Sequence, residues 1–185
     1  MKVLPCLMVL AAAAQAFGCS SDDDKGSPYS TPGTAQRPAT GGSSVESWLQ
    51  TGAYKSWHCE SAIHPSRSPS PHGYNRICSN DAISANATGT GNWPEGAAAV
   101  KELYDSATST SPSGYAVYLK TSADSAGGAN WYWYERLPGD QISADGLGNS
   151  GSAKSVCVGC HAAAGADAAH TPTPGGRDQV YTPVP

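Results

Sequence analysis

The residues best suited to chemistry stand together near the C-terminus, in the stretch Cys157-Val158-Gly159-Cys160-His161. Two cysteines separated by two residues, with a histidine directly after the second, form the attachment pattern of c-type haem. Each thiol can add to one vinyl group of the same porphyrin, and the imidazole of His161 then lies beneath the iron as its proximal ligand. The stretch therefore predicts one haem c, covalently attached through Cys157 and Cys160.

A cysteine pair of this spacing also has two other common uses. A thioredoxin-like redox pair is expected beside a βαβ pattern, and a zinc site needs a second pair of ligands. The sequence shows neither of these features. Haem attachment is therefore the interpretation that the motif favours.

The sixth iron ligand decides what such a haem could do. Electron-transfer cytochromes c commonly place a methionine opposite the histidine. The only methionines here, Met1 and Met8, lie in an N-terminal segment that resembles a cleavable leader, so a mature chain would have none. Two alternatives stay open: an iron that binds a small molecule, or a low-potential bis-histidine haem for electron transfer. The histidines that could serve in the second case are His58, His64, His72 and His170, although each taken singly resembles a surface residue.

The N-terminal segment predicts export. Lys2 precedes an apolar run, residues 3–14, which is shorter than the roughly 20 residues that a membrane-spanning helix needs. Small residues then lead into Cys19, as in bacterial lipoprotein signals, where the cysteine becomes the lipidated first residue. Ordinary secretory cleavage nearby is the alternative. We expect a signal peptide over residues 1–18 and a periplasmic or outer-membrane lipoprotein of a Gram-negative bacterium, bound to the membrane by its lipid.

The other cysteines agree with an exported chain. Cys6 lies in the leader, and Cys59 and Cys78 remain as one pair. A disulfide between them would close a loop of about 20 residues and stabilise the fold by roughly 3 kcal/mol. Disulfides persist in exported compartments, so two free buried thiols are the weaker alternative.

Composition and hydrophobic pattern together predict a flexible tether followed by one mainly β domain. Residues 19–45 are rich in Gly, Ser, Thr and Pro and show no apolar periodicity, whereas residues 46–185 carry the aromatic residues of a core. The net charge of −4 gives no sign of a nucleic-acid partner. Alternating runs predict an antiparallel sheet with peripheral helices, an α+β arrangement, and a glycine-rich loop before the haem motif. The predicted strands are residues 97–104, 114–121, 130–137 and, shorter, 74–78; the predicted loop is residues 139–153; short helices are expected from Val45, after Asn80 or Asp81, and in the alanine-rich stretch after His161.

Lys101 lies within the first long strand. Period-two alternation places it on one face with Ala99 and Leu103, and places Glu102 on the other face. From the pattern alone, a lysine whose stem covers apolar surface at a strand end is the simpler interpretation.

Several segments together resemble the cytochrome P-460 and cytochrome c′-β family. They are Trp-Pro-Glu-Gly-Ala-Ala-Ala-Val-Lys-Glu-Leu-Tyr at 93–104, Gly-Tyr-Ala-Val-Tyr-Leu-Lys at 114–120, Asn-Trp-Tyr-Trp-Tyr at 130–134, the haem motif, and Asp-Gln-Val-Tyr-Thr at 178–182. His72-Gly73, Arg76 and Asn80-Asp81 resemble the upstream segment of the family. The resemblance covers about residues 46–182.

The resemblance implies a mainly antiparallel β protein, often a dimer, with a five-coordinate c-type haem. In members that oxidise hydroxylamine, the lysine matching Lys101 is cross-linked to the porphyrin. In the c′-β branch, a haem without the cross-link binds nitric oxide or carbon monoxide. The resemblance thus makes Lys101 a haem-pocket residue and implies a small nitrogen oxide as ligand and a cytochrome as redox partner.

One departure from the oxidising members concerns the distal side. Those members place a carboxylate on the strand that matches residues 114–120 here. Counting back from Lys120, the corresponding position is Ala116. A methyl group cannot accept a proton, and two acids near it in sequence are Glu102 and Asp124. We therefore expect ligand binding rather than redox turnover of hydroxylamine or nitric oxide, which is kept as the enzymatic alternative.

Overall fold

Seven strands form one antiparallel sheet, which supplies most of the walls of the site described below. The structure is a computed structural model that describes residues 37–68, 70–166 and 175–185. The predicted signal peptide, the lipidation site Cys19, most of the predicted tether and His170 lie outside the described residues. The sheet confirms the predicted fold class.

The strands follow the alternating runs of the sequence. Residues Tyr74–Ser79 (β3), Ala98–Tyr104 (β4), Gly114–Lys120 (β5) and Trp131–Leu137 (β6) match the four predicted strands within one residue at either end. Two short strands, His58–Cys59 (β1) and His64–Pro65 (β2), pair with the outer edge of β3. The seventh strand, β7, is Gln141–Leu147. Across the sheet the strands lie in the order β1, β3, β4, β5, β6 and β7, and β2 pairs with β3 beside β1.

Strand β7 corrects the sequence prediction, which assigned residues 139–153 to a glycine-rich loop. Its side chains face solvent along most of its length, so it lacks the apolar alternation by which a strand is recognised. Pairing with β6 and the turn at Asp140, whose φ is 61°, make it a strand. Likewise, β2 at His64–Pro65 is a short strand that the sequence analysis did not predict.

The two faces of the sheet carry separate apolar cores. One core contains Val45, Leu49, Val100 and Tyr134, and helix α1 (Gly42–Thr51) covers it. This helix begins at Gly42, three residues before the expected start at Val45 and inside the segment predicted to be tether. The other core lies on the opposite face, and it consists of Ile77, Ile83, Trp93, Ala97, Ala99, Tyr118, Trp131, Trp133, Ala153, Val180 and Val184.

The remaining helices are short. Helix α2 (Asp81–Ser84) follows Asn80 as predicted, although the Asn80 side chain bonds Gly96 and Ala98 instead of capping the helix. A π-helical turn at Ala153–Val158 runs directly into helix α3 (Gly159–His161), so the haem motif is helical. The helix predicted in the alanine-rich stretch after His161 is not formed over residues 162–166, which are turns; residues 167–174 lie outside the described residues. No helix among the described residues is long and apolar enough to span a bilayer.

Cys59 and Cys78 form the predicted disulfide. They lie opposite each other on β1 and β3, and Cys78 is fully buried. The disulfide therefore fixes one end of the proline-rich segment 60–72, which we call the excursion. The other end of the excursion returns to the sheet through β2 and β3.

Candidate haem site

One cleft on the second face of the sheet gathers residues from segments far apart in the chain. The space inside it, counted out to the solvent at its mouth, is about 980 Å³. The excursion, strands β3 to β6, the haem-motif helix and the C-terminal segment all contribute to its walls. The residues that line it include Arg67, His72, Ile77, Lys101, Ala116, Tyr118, Trp133, Glu135, Cys157, Cys160, His161 and Tyr181.

The two cysteines of the motif enter the cleft from the same helical turn. Cys157 and Cys160 are three residues apart, which places them on one side of a helix, and neither forms a disulfide. Burial, followed by the negative charge of Glu135, raises the pKa of the Cys157 thiol to about 12. The Cys157 thiol is thus held in its protonated form, and both thiols face one region of the cleft.

His161 is oriented by a bond to the backbone. Its Nδ1 lies 2.6 Å from the carbonyl oxygen of Gln179, and because a carbonyl can only accept, Nδ1 must donate. The neutral imidazole then carries its lone pair on Nε2, which is the arrangement of a metal-binding histidine. Its ring packs against Trp133, with centroids 4.7 Å apart, and against Tyr181 at 5.3 Å.

A row of cross-strand neighbours forms the floor of the cleft. Lys101 on β4 pairs with Ala116 on β5, and Ala116 in turn pairs with Glu135 on β6. Directly opposed residues of antiparallel strands share a face, so the amine, the methyl group and the carboxylate lie side by side. Glu102 lies on the opposite face, as the alternation of β4 predicts.

Lys101 is a half-buried amine at the edge of this row. Burial lowers its pKa to about 8, and the positive charge of Arg67 adds to that shift, while Glu60 and Glu135 oppose it. A larger fraction of Lys101 is therefore neutral at pH 7 than of an exposed lysine. This state is a nucleophile and a proton acceptor, which an ordinary surface lysine is not.

Glu135 is the functional residue that sequence reasoning missed. It is 5% exposed and lies 3.1 Å from Nδ1 of His72. Burial raises its pKa, but hydrogen bonds from His72 and Ser143 and the charge of Lys101 outweigh burial and lower it. A signal was present: extending the alternation of β6 from Trp131 and Trp133 reaches Glu135 on the same face.

Glu135 bears on the expectation that the cleft lacks a proton acceptor because position 116 is an alanine. Ala116 does line the cleft beside Lys101, but the carboxylate absent from its position is present one strand away. The distal acids suggested by sequence distance, Glu102 and Asp124, do not line the cleft. The cleft therefore contains a carboxylate despite the alanine at position 116, and the expectation of binding rather than turnover stays a prediction.

Residues 51–182 match the family model described as cytochrome P460. The chain belongs to the cytochrome P460 family. Neither the comparison with curated proteins nor the comparison with solved structures found a match. Family membership implies a haem cofactor and relates the chain to the chemistry of nitrogen compounds.

The cleft of this cytochrome P460 member fits a haem. Besides the cysteines and His161, the indole Nε1 of Trp133 is buried with no hydrogen-bond partner among the described residues. A buried N–H without an acceptor is costly, so a group that supplies one is expected here. A porphyrin carboxylate or a molecule bound at the iron would supply that acceptor. Within the described part of the chain, no group of three or more His, Cys, Asp or Glu side chains is arranged to hold a metal ion.

The histidines considered as sixth ligands differ in whether they line the cleft. His72 lines the cleft. His58 is exposed and bonds Asp81 at 3.1 Å, and His64 bonds Glu60 at 2.9 Å; neither lines the cleft. Of the described candidates, only His72 is in a position to serve, and it is already engaged with Glu135.

Proposed function

We propose that Cys157 and Cys160 attach one haem in this cleft and that the protein binds small nitrogen compounds there, such as nitric oxide or hydroxylamine. The observation that carries the proposal is the shared cleft, which joins the haem motif with Lys101, Ala116 and Glu135. A covalent cofactor would be held at one wall, and the row on the sheet would face a ligand.

The cysteines and the histidine of the motif would have different roles. The two thiols would form thioethers, and His161, with Nδ1 bonded to Gln179, would offer Nε2 to the iron. A bound haem would supply an iron that takes small molecules and exchanges electrons. Trp133 and Tyr181 pack on the imidazole and would restrict its rotation.

The residues of the row would shape the ligand side. Ala116 leaves space that a larger side chain would fill, and Lys101 offers a donor to a ligand oxygen or nitrogen. Glu135 is kept ionised by its lowered pKa, so it can accept a proton from a ligand that carries N–H or O–H.

The optical spectrum of the reduced protein, with and without nitric oxide, tests the proposal. We expect a c-type spectrum of high-spin iron that changes when nitric oxide is added. A low-spin spectrum that nitric oxide leaves unaltered would support the bis-histidine electron-transfer alternative, with His72 as the second ligand. A colourless protein, or one that contains zinc, would refute the proposal.

Oxidation of hydroxylamine is the second candidate function, and Glu135 is the observation that favours it. An enzyme that removes electrons from hydroxylamine must also remove its protons, and Glu135 is a buried ionised carboxylate in the cleft. Electrons would pass to an external acceptor, such as a partner cytochrome. Steady consumption of hydroxylamine with an electron acceptor would demonstrate this activity. A ferrous Soret band far to the red of ordinary haem c would indicate that Lys101 is bonded to the porphyrin.

We also propose that the protein is exported and anchored to a membrane through Cys19. The sequence pattern of the leader and the disulfide between Cys59 and Cys78 support an oxidising compartment. Mass spectrometry of the mature N-terminus should find a lipidated Cys19. An unmodified residue other than Cys19 would contradict the anchor.

A further inference from the structure

The carbonyl that orients His161 belongs to an unusual turn. Residues Arg177 and Val180 form two backbone hydrogen bonds, of 2.9 and 2.8 Å, and the two residues between them close the turn. Asp178 has φ of 42° and Gln179 has φ of 71°, both in the left-handed region that favours glycine. Such a turn without glycine persists only where the surroundings hold it.

A buried polar cluster holds the first residue of this turn. Asp178 accepts hydrogen bonds from Nζ of Lys120 at 2.7 Å, from the Ser125 hydroxyl, and from the backbone N–H of Trp93 at 2.9 Å. Lys120 is fully buried at the end of β5, and its Nζ also bonds the Ser125 hydroxyl. The cluster therefore ties the turn to the sheet and to the loop before β4.

The preceding residue is held just as closely. The guanidinium of Arg177 lies 3.5 Å from the centre of the Trp93 ring and donates to the carbonyls of Asn86 and Gly91. The indole N–H of Trp93 donates to the carbonyl of Arg177 at 3.0 Å. The two residues that precede Gln179, Arg177 and Asp178, are thus both held in place.

We propose that the cluster of Lys120, Ser125 and Asp178 positions the Gln179 carbonyl against Nδ1 of His161 and thereby sets the reduction potential of the haem. The inference rests on the proposed function, since it requires His161 to bind iron. A strong bond from Nδ1–H to a fixed carbonyl increases the basicity of the imidazole, which favours ferric over ferrous iron. The three residues act through Gln179 and are positioning residues, because none of them lines the cleft.

The variant Asp178→Asn tests the inference in the haem-bearing protein. Asparagine matches aspartate in shape and tolerates positive φ, so the variant removes mainly the charge that attracts Lys120. We expect the haem to stay attached, its midpoint potential to shift upward, and the iron–histidine stretching frequency of the ferrous form to fall. Both readouts report on the imidazole, and a general loss of stability would not move them.

A matched control is available on the opposite face of the sheet. Glu102 is 1% exposed and pairs with Arg76 at 2.7 Å, so Glu102→Gln disrupts a comparable buried ion pair far from the Gln179 turn. This control should lose stability and keep the wild-type potential. An upward shift of equal size in Glu102→Gln would overturn the inference.

The milder variant Ser125→Ala decides the matter if Asp178→Asn does not fold. It removes one hydrogen bond to Asp178 and should shift the potential in the same direction by a smaller amount. A haem-bearing Ser125→Ala or Asp178→Asn protein with unchanged potential would refute the inference alone. A wild-type protein without haem would refute the proposed function itself.

Discussion

At the scale of single residues, the position of one carboxylate changes what the site can do. Glu135 is separated from Lys101 by 34 positions in sequence, yet only the methyl group of Ala116 stands between them on the sheet. The ionised state of Glu135 depends on His72, which the excursion brings into the cleft. A site with a buried proton acceptor can support oxidation as well as binding.

Glu135→Gln should separate these two activities. Glutamine has nearly the same size but cannot accept a proton, so we expect the rate of hydroxylamine oxidation to fall by about 10²-fold or more. The change that nitric oxide produces in the spectrum should remain. Stopped-flow spectroscopy and steady-state assays measure the two effects, and Glu102→Gln on the opposite face is the control. Equal turnover in Glu135→Gln and wild type would show that the carboxylate takes no part.

Lys101→Leu should be more stable than the wild type at pH 7. The pKa of Lys101 is lowered to about 8 in the folded protein, whereas an unfolded lysine titrates at about 10.4. Between these pH values Lys101 is more protonated in the unfolded chain than in the folded protein, so the stability of the wild type rises with pH. The difference in stability between Lys101→Leu and the wild type should therefore disappear towards high pH. Guanidinium unfolding at pH 7 and pH 10 measures the difference between the two proteins. A difference that is the same at both pH values would contradict a buried, titrating amine.

At the scale of elements, the excursion contributes Arg67 and His72 to one wall of the cleft. Glu60 accepts hydrogen bonds from the N–H of Ile77 at 2.8 Å, from His64, and from Arg67 at 2.6 Å. These bonds hold the excursion against β3, and the disulfide closes its base. Arg67 and His72 are delivered to the cleft in this way.

Replacing both Cys59 and Cys78 by serine should lower the free energy of unfolding by about 3 kcal/mol, because the unfolded chain regains the freedom of a closed loop. The excursion should also become more sensitive to proteases. Denaturant unfolding and limited proteolysis measure the two effects. Reducing agent should reproduce them in the wild type and have no effect on the variant. Unchanged stability would mean that the disulfide is absent from the native protein.

At the scale of the whole molecule, buried carboxylates on both faces of the sheet make the fold sensitive to acid. Glu60, Glu102, Glu135 and Asp178 all have lowered pKa values, since hydrogen bonds from cations and N–H groups outweigh the effect of burial. Each one therefore contributes stability that is present above its unfolded pKa and is lost as the pH falls through its folded value.

Unfolding free energy should therefore decrease between pH 6 and pH 3, and Glu102→Gln should decrease less steeply than the wild type. Glu102 bonds Arg76, Tyr54 and Tyr104, all of which favour its ionised form. Denaturant titrations across this pH range measure both slopes. Glu95→Gln, at an exposed position, should keep the wild-type slope. Parallel curves for Glu102→Gln and the wild type would exclude this contribution.

The sequence by itself determined the features that local pattern encodes. Alternation located the four long strands, the spacing of Cys157, Cys160 and His161 indicated the haem site, and counting cysteines paired Cys59 with Cys78. The strands and the disulfide are confirmed, because strand period and the count of cysteines can be read directly from the chain, whereas haem attachment stays a prediction from motif spacing.

Only the tertiary structure decided how distant residues meet. Strand β7 depends on pairing with β6, because its own side chains mostly face solvent. Glu135 enters the cleft through the register of β5 and β6, and Gln179 reaches His161 through a turn that a buried Lys120–Asp178 pair holds in place. Register and buried ion pairs are relations between segments far apart in sequence, so no local pattern specifies them.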